Sequence, residues 1–192
     1  MKNVRGMREP SYDIIQKEEL LRTCFEYLSK TGLESVSMRN MCDETGIVMS
    51  SMYYWFGNKD GVILSATEWG INHVVEELFE YMYKYIDNLQ ITIITFSEVA
   101  MQYKKQLRFI YQVVTSLKYG EEMRDLSDKL FNVCEVYAEK IASHFDVNKQ
   151  DVLPCVHLFL SAVLEYVIWY NKPKLEMELS CVYNSLTEKI KS

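Results

Sequence analysis

Residues 32–60, GLESVSMRNMCDETGIVMSSMYYWFGNKD, carry the pattern that decides how the rest of the chain is read. Ser37 is placed to cap a short helix, Met38 to Glu44, whose Met38, Met41 and Cys42 fall on one face. Thr45-Gly46 then supplies a turn, and a second short helix runs from Met49 to about Trp55. In that second helix Met52 and Phe56, four residues apart, form the inward pair, which leaves Tyr53, Tyr54 and Trp55 largely outward. Asn58 is a capping residue for a further helix, with Asp60 in its first turn, where a carboxylate favours the helix dipole.

Working back toward the N-terminus, Ile14, Leu20, Leu21, Cys24, Phe25 and Leu28 recur at helical spacing between Ser11 and Lys30, and Gly32 follows as a stop. Residues 1–10 contain Lys2, Arg5 and Arg8 and read as a basic arm. Working forward, the helix that starts at Asn58 is expected to continue to about Ile86 through Val62, Ile63, Ala66, Trp69, Val74, Leu78, Met82 and Tyr85. Residues 90–104 contain a β-branched run that propensity alone could make a strand; standing among helical segments with no partner strand, it is expected to be helical. Three more helices are expected over Leu107–Lys118, Glu121–Phe145 and Asp151–Asn171, the last stopped by Lys172-Pro173. Lys174–Ile190 closes the chain. The expectation is an all-α fold of about nine helices: an N-terminal arm and three-helix head over residues 1–58, and a helical body over 59–192.

Composition agrees with that class. The chain has 192 residues, 48% hydrophobic and 25% charged, with 7 Gly and 3 Pro, few helix breakers for its length. A chain of this size buries about 70% of the surface its unfolded form exposes. The 5 cysteines are odd in number, widely spaced and without a C-x-x-C pair, which fits reduced, mostly buried thiols rather than a disulfide framework or zinc site. No apolar run is read as reaching the roughly 18 residues that span a bilayer, and residues 1–10 contain no apolar signal core, so a cytoplasmic location is expected. There is no P-loop, H-E-x-x-H or G-x-S-x-G; neither an enzyme activity nor a cofactor is expected.

A helix-turn-helix lays its second helix in the DNA major groove. Met49, Ser50 and Ser51 lie at the end of that helix that meets base edges, with two hydroxyls and one side chain able to touch a thymine methyl. Tyr53, Tyr54 and Trp55 can offer OH or NH groups to phosphate. Lys59, beside the free amides of a helix start, suits an anion. Arg39 and Lys59 bracket the unit. Charge argues the other way: the chain carries a net −6, and residues 1–60 hold eight basic and nine acidic side chains. A helical ligand-binding or adaptor protein without specific DNA binding is the alternative.

The segment resembles the DNA-binding head of the TetR family of bacterial transcriptional repressors. Cys24 stands at a small helix-one position and Leu28 where Phe is usual. Gly32, Ser37, Met41-Cys42, Gly46-Ile47, Tyr53, Phe56 and Lys59 follow at the family's places. Val48 stands where the family usually has a capping Ser, Cys42 where it has Ala, and Trp55 where His or Tyr is common. The resemblance covers about residues 11–62. It implies that Ser37, Tyr53 and Lys59 contact phosphate, that Ser50, Ser51 and their neighbours face bases, and that two subunits pair through their last two long helices to meet a palindromic double-stranded operator. A small-molecule effector, apolar or aromatic, would release it. Candidate effector contacts in the body are Phe96, Tyr103, Tyr111, Met123, Tyr137, His157, Ser161 and Glu165, a mostly apolar set with a few polar tips. His157 and Glu165 lie two turns apart on one helix face, where a buried polar group needs a partner.

Overall fold

The buried side chains between residues 59 and 86 recur every four residues. Val62, Ala66, Gly70, Val74, Leu78, Met82 and Ile86 make one row; Ile63, Thr67, Ile71, Val75 and Phe79 make the row beside it. A regular α-helix turns about 100° per residue, so a four-residue repeat drifts about 40° each time, or about 200° from Val62 to Met82. The chain meets this with a π-helical turn at Ile71–Val75, whose wider loop takes up one extra residue and brings the row back toward the inner face. The only polar side chain in the rows, Thr67, donates to Ile63 O at 2.7 Å.

The computed structural model describes residues 10–191. Its α-helices are α1 (Pro10–Thr31), α2 (Met38–Thr45), α3 (Met49–Phe56), α4 (Lys59–Gly70), α5 (Glu76–Lys84), α6 (Leu89–Gln102), α7 (Lys104–Val114), α8 (Arg124–Phe145), α9 (Lys149–Trp169) and α10 (Lys172–Lys191). No strand occurs among the described residues, and the β-branched run lies in a helix as expected, though α6 stops at Gln102 and Lys104 already begins α7. The expected count of about nine becomes ten because the π-turn divides one rod into α4 and α5. The rod also ends earlier than expected, at Lys84, before a 3-10 turn at Ile86–Asn88. Trp69 and Tyr85 lie off its inner rows: Trp69 is half-buried and Tyr85 exposed.

Other boundaries shift for local reasons. Helix α7 stops at Val114 rather than Lys118, and α8 begins at Arg124 rather than Glu121. Helix α9 is ended by Tyr170, in the left-handed region at φ 57°, and not by Pro173. That proline lies in the first turn of α10, where a missing N–H costs nothing, behind an Asn171 side chain that accepts from Lys174 N at 3.1 Å. The basic arm at Lys2, Arg5 and Arg8 lies outside the described residues.

One core extends from Leu20 to Leu186, and α1 packs on both α4 and α7, so packing runs across the expected boundary at residues 58 and 59. The π-turn is tied to α1: His73 Nδ1 donates to Trp69 O at 2.8 Å, its ring stacks on Trp69 at 4.1 Å, and its Nε2 lies 3.3 Å from Glu18. Above the turn, body side chains bind the rod's carboxylates. Tyr103 OH donates to Glu77 at 2.7 Å, and Tyr137 OH and Lys140 Nζ donate to Glu80 at 2.6 and 2.7 Å. Cys24, Cys42, Cys134 and Cys155 are buried and Cys181 is exposed, all as free thiols.

Helix α9 contains an 18-residue window of mean hydropathy 1.8, of which 39% is buried. By length and composition it could cross a membrane, which corrects the expectation that no segment reaches that length. In this fold it packs between α8 and α10, with Val152, Cys155, Val156, Phe159, Ala162, Val163 and Val167 inward.

Helix α1 leaves no room for a side chain at Gly70, where an added methyl would sit 2.2 Å from the Phe25 ring. That ring is wedged between Trp69 and Phe109, with centroids at 5.7 and 5.9 Å, and cannot step aside. Gly70→Ala is expected to lower stability by about 1–3 kcal/mol, measured by urea denaturation; an unchanged midpoint would show that α1 rides freely over the rod.

Candidate nucleic-acid interface

Ser37 caps α2 as its residue type suggests, accepting from Asn40 N at 3.1 Å. Gly46 follows α2 at φ 69°, a left-handed turn that any side chain would resist, and the chain reverses through Ile47 and Val48 into α3. Val48 makes no side-chain cap, and the N–H of Ser51 and of Met52 both turn back to Val48 O at 3.0 and 3.2 Å. Within α3, Met52 is fully buried and Phe56 nearly so, which fixes the helix's orientation. The opposite side shows Met49, Ser50, Tyr53 and Tyr54 to solvent, with Ser51 half-buried. Arg39, on α2, is also exposed. The outward surface is thus two hydroxyls, a thioether and two phenols: polar, uncharged and flanked by one arginine.

Two side chains sit otherwise than the sequence suggests. Trp55 is half-buried rather than outward. It packs against the core, with the edge of Tyr54 at 5.4 Å and Lys17 Nζ 5.9 Å from its ring. Lys59 is not a free cation at the start of α4; its Nζ donates to Val36 O at 2.8 Å. It thereby ties the loop before α2 to the helix after α3, a contact 23 residues apart in sequence that no local signal announces.

The first turn of α4 is held from the body as well. Asn58 Oδ1 accepts from Gly61 N at 2.9 Å. Asp60 accepts from Lys118 Nζ at 2.6 Å and from Tyr119 OH at 2.7 Å. Tyr119, in the α7–α8 loop, is buried. These two hydrogen bonds hold the Asp60 carboxyl below the usual carboxylate range, while burial and the Asp60 bond push the Tyr119 phenol up. Lys118 and Tyr119 are not among the site residues read from the sequence.

The eight candidate effector residues do not share one place. Phe96, Met123 and Tyr137 are buried core: Phe96 packs edge-on to Phe159 and Tyr137 stacks on Phe79. Tyr103 is bonded to Glu77, and Tyr111 is 42% exposed on α7. His157 lies against Phe131 at 4.5 Å, and its Nε2 is buried without a hydrogen-bond partner. Glu165 is paired with Lys174. Ser161 and Glu165 line a narrow groove of about 180 Å³ between α9 and α10, with Leu158, Cys181 and Val182. Among the described residues no cluster of three His, Cys, Asp or Glu could hold a metal ion.

Because Asp60 is partly exposed, its bonds contribute modestly, about 1 kcal/mol. Its pKa is depressed in the folded protein, so that contribution is present above the ordinary carboxylate pKa and disappears as pH falls through the folded value. Asp60→Asn is expected to lower Tm by about 2–4 °C at pH 7, with the gap to wild type closing as pH falls below the ordinary carboxylate range; a gap of constant size on acidification would show that the carboxylate's charge contributes nothing. No family model matches this chain and no curated protein matches it in sequence, so the site's geometry carries the functional reading.

Proposed function

We propose that this chain is a TetR-like DNA-binding transcriptional regulator, a cytoplasmic homodimeric repressor released from a palindromic operator by a small molecule. The observation that carries the reading is α3. It is a two-turn helix locked by Met52 and Phe56, presenting Met49, Ser50, Tyr53 and Tyr54 outward, behind a capped α2 and a left-handed Gly46 turn. Small hydroxyl side chains at the start of α3 allow close approach to base edges, and the phenols can reach phosphate oxygens. In this reading Lys59 serves the interface indirectly, by fixing the loop that ends in Ser37, and Ser37 keeps a hydroxyl proton to donate while it caps α2.

Pairing through α9 and α10 is supported by the apolar side chains those helices leave outside: Leu158 at 57%, Trp169 at 72% and Met177 at 59% exposure. Such side chains on two adjacent long helices need cover, and a second copy would supply it symmetrically. For the effector, the buried and unpartnered His157 Nε2 marks where a ligand hydrogen bond would remove a penalty.

The adaptor reading draws on the net charge of −6, on the missing cap at Val48 and on the capture of Lys59 by Val36 O. Salt dependence separates the two, since phosphate contacts make log K fall steeply with log[salt] and an adaptor interface does not. In anisotropy titrations with DNA flanking the gene, wild type is expected to bind specifically, and Tyr53→Ala to weaken binding by about tenfold, roughly 1.4 kcal/mol; flat titrations at low salt would remove the DNA reading. For pairing, sedimentation of Leu158→Lys should show monomer at concentrations where wild type is dimeric. An unchanged dimer would place the interface elsewhere.

A further inference from the structure

Two sulfurs meet at the floor of an open groove between α2 and α3. The Cys42 thiol donates to the Met49 thioether at 3.7 Å, and both residues line a groove of about 480 Å³ together with Arg39, Asp43, Gly46, Ile47 and Val48. Cys42 is 9% exposed and Met49 36%, so the pair is reachable from solvent while its inner member is shielded. Cys24 of α1 belongs to the same buried core as Cys42. Carboxylate, imidazole and water ligands suit hard or borderline cations, whereas a thiol and a thioether side by side select soft ones.

We propose that Cys42 and Met49 form a binding site for a soft monovalent cation of the copper(I) or silver(I) type. The Cys42 thiol loses its proton to solvent, its sulfur forms a bond to the cation, and the Met49 sulfur donates a lone pair to the other side. No electron is transferred. Burial, with Asp43 beside it, raises the thiol's pKa, so the free group is protonated at neutral pH and the cation must displace that proton. Met49 is unbranched and 36% exposed, and its rotatable bonds let the sulfur adjust to the cation. The site joins the C-terminal half of α2 to the first residue of α3, and it stands whether or not α3 reads DNA.

The test needs no DNA. Full-length protein carrying Cys181→Ser, which removes the exposed thiol, is labelled at methionine methyl groups and titrated with silver nitrate in a chloride-free buffer. One equivalent is expected to shift the methyl resonance that Met49→Leu removes, and to leave it in place when Cys42→Ser is added. Competition against a chromogenic chelator should show at least a tenfold loss of silver affinity in either variant. A Met49 methyl that ignores silver, or shifts equally without Cys42, overturns the proposal. Met49→Leu lies on a part-exposed position and keeps the affinity comparison decisive even where Cys42→Ser folds poorly.

Discussion

The rod formed by α4, the π-turn and α5 is the constraint on which the other helices depend. Its two buried rows follow a four-residue spacing that a regular α-helix cannot keep on one side. With the π-turn, the rows give α1 and α7 a continuous surface on one stretch and α6 and α8 on the next. Glycine at position 70 completes this surface, because the Phe25 ring occupies the space a Cβ would fill. The head's first helix, the rod and α7 meet around that ring.

The same rod is held differently at its two ends. Near α3 its first turn is fixed by Asn58 from within and by Lys118 and Tyr119 from the α7–α8 loop. Beyond the π-turn, Glu77 and Glu80 accept from Tyr103, Tyr137 and Lys140, and Asp87 faces His144 at 2.7 Å. A shift of the upper helices thus acts on α5 first. Within the rod, α5 and α4 are joined through Ile71–Val75, the segment with π-type hydrogen bonding, while α7 and the α7–α8 loop touch α4 directly.

Much of this was legible where residue type and local backbone coincide. Ser37, Gly46 and Asn58 announce caps and a turn, and the Met52–Phe56 pair sets which side of α3 is inward. The four-residue repeat was also present in the sequence, but a reading by helical spacing admitted Trp69 and Tyr85 to the row and missed the π-turn. Pro173 misled because a proline marks a helix start as well as a stop, and only the left-handed Tyr170 decides between them. The bonds from Lys59 to Val36 and from Asp60 to Tyr119 join positions 23 and 59 residues apart, with no pattern at either end. Side-chain chemistry and the eight-residue spacing of His157 and Glu165 do not reveal tertiary partners, and polar-tipped aromatics such as Tyr103 and Tyr137 are bonded to the rod's own carboxylates.

The contact between Asp60 and Tyr119 also has a meaning for synthesis. The first three helices leave one side of α1 bare until α7 arrives, with Phe109 against Phe25, and the base of α4 lacks its buried phenol until the next loop is made. On the ribosome, the contacts that Phe109 and Tyr119 make with the head form only after the chain has been translated past residue 119 and that stretch has emerged. The segment that comes out first is among the later ones to be finished, and a nascent chain halted before that point holds an incomplete head.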